Sequence, residues 1–140
     1  MAIVLAPFIV RAAAAAEELD EVRVLGRKLW QMREEIFEAE DRYYALYNEL
    51  NKDRDFDVSC VMSGTHMKQR YCRARFFIDA QTDQAQDMLR GRVAVPPELV
   101  QMPRQGDYRK AATAVLESSP ELRRLASELI DMKQRYAQER

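Results

Sequence analysis

Glycine and proline are scarce in this sequence, with 4 and 5 residues respectively among 140. An all-β domain needs many turns, so this scarcity favours a fold of long helices. One histidine, His66, and two cysteines, Cys60 and Cys72, do not complete a Cys/His ligand set for structural zinc. The formal net charge of −1 lacks the positive excess of general nucleic-acid binders. We therefore expect no catalytic constellation, no metal, no cofactor and no nucleic-acid partner.

Two apolar patterns with heptad spacing indicate where the main helices lie. In a helix predicted over residues 12–50, apolar residues recur at alternating intervals of 3 and 4. They are Val22, Leu25, Leu29, Met32, Ile36, Ala39, Tyr43, Leu46 and Leu50. The charged residues between them, Glu40 included, suit a solvated face. A second seam runs near the end of the sequence, at Leu122, Leu125, Leu129, Met132 and Tyr136. The two seams could pack together in one bundle or pair across a dimer interface.

The period of the pattern changes to two on either side of Gly64, which predicts a β-hairpin with strands at about 56–62 and 70–77. Pairing Cys60 with Cys72 also pairs Val58 with Ala74, and Phe56 with Phe76, on one face. This register allows a structural disulfide between the cysteines.

Two other states of the cysteines stay open. The spacing Cys60-x5-His66-x5-Cys72 offers a metal site, although it is one ligand short of structural zinc. If the protein is cytosolic, the two cysteines would be free thiols, because the cytosol is reducing. His66 itself is best interpreted as a solvated loop residue, since no nucleophile and orienting group are placed beside it by spacing.

Between the hairpin and the last seam we expect two shorter helices. One covers residues 79–90, with Asp79 or Thr82 as its N-cap and Gly91 as its stop. Residues 93–106 hold three of the prolines and are predicted to be irregular, and a helix resumes at Asp107. The predicted fold is thus mainly α: a long N-terminal helix and C-terminal helices form a bundle with one short disulfide-linked hairpin.

The first 16 residues are apolar and end in an alanine run, with small residues where a signal peptidase would cut. Arg11 interrupts the run and no basic residue precedes it, so an ordinary N-terminal helix is the alternative. The domain division is therefore residues 1–16 as a signal peptide or apolar segment, and residues 17–140 as a single helical domain. Membrane contact is expected only through residues 1–16.

A basic stretch follows the hairpin loop, and acidic residues are absent from positions 58–78. Its cations Lys68, Arg70, Arg73 and Arg75 lie among aromatic residues, so they could bind an anion or an acidic partner surface. The simpler interpretation is a solvated strand face whose charges discourage edge-to-edge aggregation.

Three motifs resemble a family of small uncharacterised exported proteins of Gram-negative proteobacteria. They are YALYNELN from Tyr44, FDVSC from Phe56 and KQRYCRARF from Lys68. The resemblance implies export and a two-cysteine hairpin, and it implies no activity. The sequence as a whole predicts a non-enzymatic periplasmic or envelope protein that contacts a protein partner. The alternative is a cytosolic helical module that self-associates as a homodimer through its heptad seams.

Overall fold

A computed structural model describes residues 8–65 and 69–140 of the chain, with side chains from residue 20 onward. The elements in chain order are α1 (Phe8–Leu50), a 3-10 turn (Arg54–Phe56), β1 (Val58–Ser63), β2 (Gln69–Ala74), α2 (Arg75–Leu89), α3 (Pro97–Ser118) and α4 (Pro120–Glu139). The predicted class is confirmed, since the fold is mainly helical with one two-stranded antiparallel hairpin.

The two heptad seams pack against each other within one chain. Ion pairs join Lys28 to Glu139 at 2.8 Å and Arg42 to Glu128 at 3.9 Å, so α1 and α4 run antiparallel. Leu122 of the second seam is fully buried, at 0% exposure. The intramolecular bundle predicted from the seams is therefore present, and α4 covers only the C-terminal part of α1.

The hairpin has the register that the alternating pattern predicts over its central residues. Cys60 lies opposite Cys72, and Val58 lies opposite Ala74. The strands are shorter than predicted, because Phe56 belongs to the 3-10 turn and Phe76 belongs to α2. These two residues are therefore not a strand pair, although their rings still contact edge to face at 5.8 Å between centroids.

The end of α1 is tied to the hairpin by asparagine side chains. The Asn48 side chain donates to the carbonyl of Val58 at 2.8 Å and accepts from the amide of Val58 at 2.7 Å. Asn51 Nδ2 donates to Asp57 Oδ1 at 2.9 Å. An amide side chain can satisfy both backbone groups of one residue in this way, so Asn48 fixes where β1 begins against the helix.

The predictions for the next two helices were partly wrong. Helix α2 begins at Arg75, before the predicted caps Asp79 and Thr82, because the chain turns directly from β2 into the helix. Its end is as predicted, and Gly91 takes a positive φ of 67°, which suits the residue after a helix.

Helix α3 begins at Pro97, ten residues before the predicted start, and Pro103 lies inside it. Proline fits the first turn of a helix, and burial of Pro97 and Gln101 against α2 favours helix over the irregular segment. The break between α3 and α4 is as predicted. Ser119 caps α4 by accepting from the amide of Leu122 at 3.1 Å, and Pro120 follows at the first helical position.

Candidate binding surfaces

The two cysteines lie at bonding distance, with sulfur atoms 2.09 Å apart. The pair is half-buried beside α1, where Cys72 Sγ lies 3.7 Å from Glu40 Oε2. A cross-link between β1 and β2 here holds the register of a two-stranded hairpin that would otherwise be marginal in water. It therefore also holds the position of the neighbouring β2 side chains on the same face.

The four basic residues of the predicted patch do not form one surface. Lys68 lies outside the described residues. Arg70 shares the inward face of β2 with Cys72 and is largely buried, with 12% of its side chain exposed. Arg73 is on the outward face, where its guanidinium lies 5.6 Å from the Tyr71 ring centroid, and Arg75 is exposed at the start of α2.

Glu40 lies at the centre of an ion-pair network that joins three elements. It is buried, with 8% exposure, against the expectation of a solvated position. Its carboxylate oxygens lie 3.1 Å from Arg70 Nε and 2.6 Å from Lys133 Nζ. Arg70 also pairs with Asp41. A buried carboxylate needs such partners, so β2 and α4 together account for the burial of Glu40.

Beside this network a cleft of about 880 Å³ opens between α1, β2 and α4. Four cationic side chains from these elements line it: Arg33, Arg70, Lys133 and Arg140. We call these residues and the rings of Phe37 and Tyr136 the cationic cleft. The guanidinium carbons of Arg33 and Arg70 lie 5.9 and 5.1 Å from the Phe37 ring centroid. That of Arg140 lies 6.0 Å from the Tyr136 ring centroid. This distance range is that of cation–π contacts.

Of the residues in the cationic cleft, Arg70 alone was predicted from the sequence as a binding residue, and Tyr136 was predicted as part of the second heptad seam. A weak signal was present, because Arg33, Glu40 and Tyr47 are spaced by seven residues and so share one side of α1. The sequence shows that these residues share one side of α1, but it does not show that the hairpin packs against that side. The tertiary position of β2 decides that these residues face inward.

Several tyrosines pack where α1, α3 and the hairpin meet. Burial, reinforced by the negative charge of Glu40, raises the pKa of Tyr44 to about 12. Burial likewise raises the pKa of Tyr43, Tyr47 and Tyr108. A phenol is neutral at physiological pH already at its ordinary pKa of 10.0, and burial makes the phenolate still less favourable, so these tyrosines are core contacts that carry hydroxyls.

The N-terminal part of α1 extends beyond the end of α4. Lys28 pairs with Glu139 at that end, and the seam residues that precede it, Val22 and Leu25, are 66% and 42% exposed. Val24 and Trp30 are exposed on the same stretch. We call residues 20–30 the α1 arm. No element among the described residues packs over its outer half, so the heptad seam continues past its partner helix.

A second group of exposed apolar side chains lies where α2 connects to α3. It comprises Met88, Leu89, Val93, Val95, Leu99, Val100 and Met102. Leu89 and Val93 are the most exposed of them, at 89% and 97%. The α1 arm continues the heptad seam that packs against α4. The second group does not continue a seam of this kind.

Comparison of the chain with protein-family models, curated proteins and solved structures found no match in any of the three. The resemblance of the YNELN and cysteine motifs to exported proteins therefore stays a prediction. None of the helices described has the length and apolar content needed to cross a membrane. Within residues 8–65 and 69–140, no group of three or more His, Cys, Asp or Glu residues could hold a metal ion.

Proposed function

We propose that this chain is a non-enzymatic interaction protein that assembles through the α1 arm with a second copy of itself. The proposal depends on one observation: the seam residues of the α1 arm are exposed, whereas later seam residues of α1 are covered by α4. Val22 and Leu25 hold seam positions of the same type as Ile36 and Ala39, which are buried against α4. A second helix over this seam would remove its apolar side chains from water, which favours association.

The second copy is the partner that fits the α1 arm best. Its own arm has the same seam and the same exposure, so two arms cover each other in a closed, isologous contact. The arm also carries both signs of charge beside the seam, in Glu21 and Lys28. Antiparallel pairing would place Glu21 of one copy near Lys28 of the other, where it would add a second carboxylate to the one that Glu139 already supplies. The contact continues the α1–α4 interface without a break.

A substitution on the arm tests the proposal. Leu25→Glu places a charge in the seam, so we expect a protein that is dimeric as wild type to become monomeric. Leu89→Glu is the matched control, because it puts the same charge on an apolar residue that is even more exposed. Light scattering after size exclusion gives the mass of each variant. The proposal is wrong if the wild type is monomeric at high concentration, or if Leu89→Glu dissociates it and Leu25→Glu does not.

We further propose that the chain works in an oxidising compartment such as the periplasm. The pairing of Cys60 with Cys72 supports this, because disulfides persist mainly in such compartments. The apolar residues 1–16 also support it as a signal peptide, although residues 1–7 lie outside the described part of the chain. Removal of residues 1–16 would leave Val22, Leu25 and the rest of the α1 arm in place.

One observation favours the alternative of a cytosolic self-associating module. Helix α1 begins at Phe8 and continues through Ala16 without a break, as an ordinary N-terminal helix would. Mass spectrometry of the protein from its host decides between the two. Export predicts an N-terminus beyond Ala16 and a Cys60–Cys72 bond, whereas an intact Met1 with two free thiols would show that the protein is cytosolic.

A further inference from the structure

We propose that the cationic cleft binds a small organic anion that carries a carboxylate or phosphate group on a flat apolar body. This proposal is independent of self-association through the α1 arm. Among the side chains that line the cleft, four are cationic and one, that of Glu40, is a carboxylate. Its volume of about 880 Å³ falls in the range of known small-molecule sites, about 300–1,000 Å³.

Two of the four cations are free to bind a further anion. Arg33 has its nearest carboxylate, that of Glu34, only at 4.0 Å, and its Nε is buried without a hydrogen-bond partner. The Arg33 side chain as a whole is 43% exposed, so its terminal Nη groups can donate to an oxyanion in the cleft. For Arg140, no carboxylate of the described side chains lies within ion-pairing distance of the guanidinium. Arginine guanidinium groups bind carboxylate and phosphate oxygens in a bidentate manner.

The other two cations are already held in place. Arg70 and Lys133 reach the same carboxylate, Glu40, from opposite elements, β2 and α4. This shared partner fixes both side chains at the cleft before any ligand arrives, which lowers the entropy cost of binding. Their positive charge is partly neutralised by Glu40, so they orient the ligand and contribute less to its attraction than Arg33 does.

The side chains that line the cleft indicate which kind of group the ligand carries next to its anion. Phe37 and Ile36 line the α1 side, and Tyr136 lines the α4 side. The Phe37 ring lies beside the guanidinium groups of Arg33 and Arg70, and the Tyr136 ring lies beside that of Arg140, so apolar and cationic surfaces are adjacent in the cleft. A ligand with an apolar group next to its anion covers both surfaces, whereas a fully hydrated anion would leave the rings exposed to water. The cleft therefore fits an aryl or similarly flat carboxylate or phosphate better than inorganic phosphate.

Calorimetric titration of the oxidised full-length protein with phenyl phosphate, inorganic phosphate and phenol tests each part of the proposal. We expect phenyl phosphate to bind, inorganic phosphate to bind at least about tenfold more weakly, and phenol not to bind. Benzoate, titrated in the same way, distinguishes a carboxylate ligand from a phosphate ligand. Absence of binding by both phenyl phosphate and benzoate would overturn the proposal. Equal affinity for phenyl phosphate and inorganic phosphate would contradict the part of the proposal that gives the ligand an apolar body.

A pair of variants locates the binding. Arg33→Gln removes the charge of the unpaired guanidinium, so we expect at least about a tenfold loss of affinity, in line with a lost charged hydrogen bond. Arg90→Gln makes the same change at the exposed end of α2, outside both the cleft and the α1 arm, and should leave affinity unchanged. Circular dichroism confirms that both variants are folded. Equal affinity of Arg33→Gln and wild type would place the anion elsewhere and contradict the assignment.

Discussion

At the scale of single residues, the side chain of Asn48 joins the end of α1 to the first residue of β1. Asn48 satisfies the amide and the carbonyl of Val58, whose side chain is buried against Tyr47 and Leu122. The sequence shows a polar residue near a helix end, where asparagine is common. It does not show that this amide faces the hairpin, because that depends on how the chain turns over residues 51–57.

Replacing this side chain should therefore destabilise the protein. Asn48→Ala leaves two backbone groups of Val58 without partners, and we expect a loss of about 2–4 kcal/mol in the free energy of unfolding. Urea unfolding followed by circular dichroism measures the loss. As a control, Gln31→Ala removes a comparable amide from an exposed position of α1 and should change stability by less than about 0.5 kcal/mol. Similar losses in both variants would contradict the role of Asn48.

A second residue-scale prediction concerns Tyr44 at alkaline pH. Its pKa in the folded protein, about 12, lies above the ordinary value of 10.0, so the folded state holds the phenol proton more tightly. The stabilisation is complete below pH 10 and declines as the pH rises toward 12. We expect the free energy of unfolding to fall over that interval, and to fall less steeply in Tyr44→Phe. Parallel slopes for the two proteins would show that Tyr44 does not contribute.

At the scale of elements, the sequence predicted centres better than ends. Strict alternation around Cys60 and Cys72 was enough for the register, because a shift by one residue would turn Val58 and Ala74 outward. The outer ends of the two strands were predicted wrongly, because the backbone leaves the extended conformation there while the alternation of apolar side chains continues. Phe56 and Phe76 keep their contact after the chain has left the strands, so an apolar pattern alone cannot separate strand from turn.

The start of α3 was missed for a related reason. Prolines at 96, 97 and 103 are typical of irregular structure, yet Pro97 fits the first turn and Pro103 is tolerated inside the helix. Packing of Gln101, which donates to the carbonyl of Phe77 at 3.5 Å, ties this turn to α2. Such a tertiary contact has no local signature in sequence.

The bond between Cys60 and Cys72 is expected to stabilise the hairpin. A bond that closes a loop of this size, with a sequence separation of 12, should contribute about 3 kcal/mol to stability. The double variant Cys60→Ala and Cys72→Ala should therefore unfold at lower urea concentration than the oxidised wild type. Reduced wild type is the control and should resemble the double variant. Equal stability of oxidised and reduced protein would contradict a structural role for the bond.

At the scale of the whole molecule, the two halves of the long helix have different surroundings. From Lys28 onward α1 is paired with α4, and before that residue its seam faces water. The heptad spacing predicted helix pairing over the full length and left open whether the partner lies in the same chain. The answer depends on how α4 packs along α1, which the heptad spacing alone does not give. The uncovered seam is what points to a second copy.

Hydrogen–deuterium exchange at two protein concentrations, one above and one below the dissociation constant of the dimer, is a direct measure of pairing between α1 arms. We expect amides of the α1 arm, residues 20–30, to exchange more slowly at the higher concentration, because a second arm then stabilises the helix. Exchange in residues 88–102, around the other exposed apolar group, should be the same at both. Equal exchange of the α1 arm at the two concentrations, with or without a change at residues 88–102, would show that the arms do not pair.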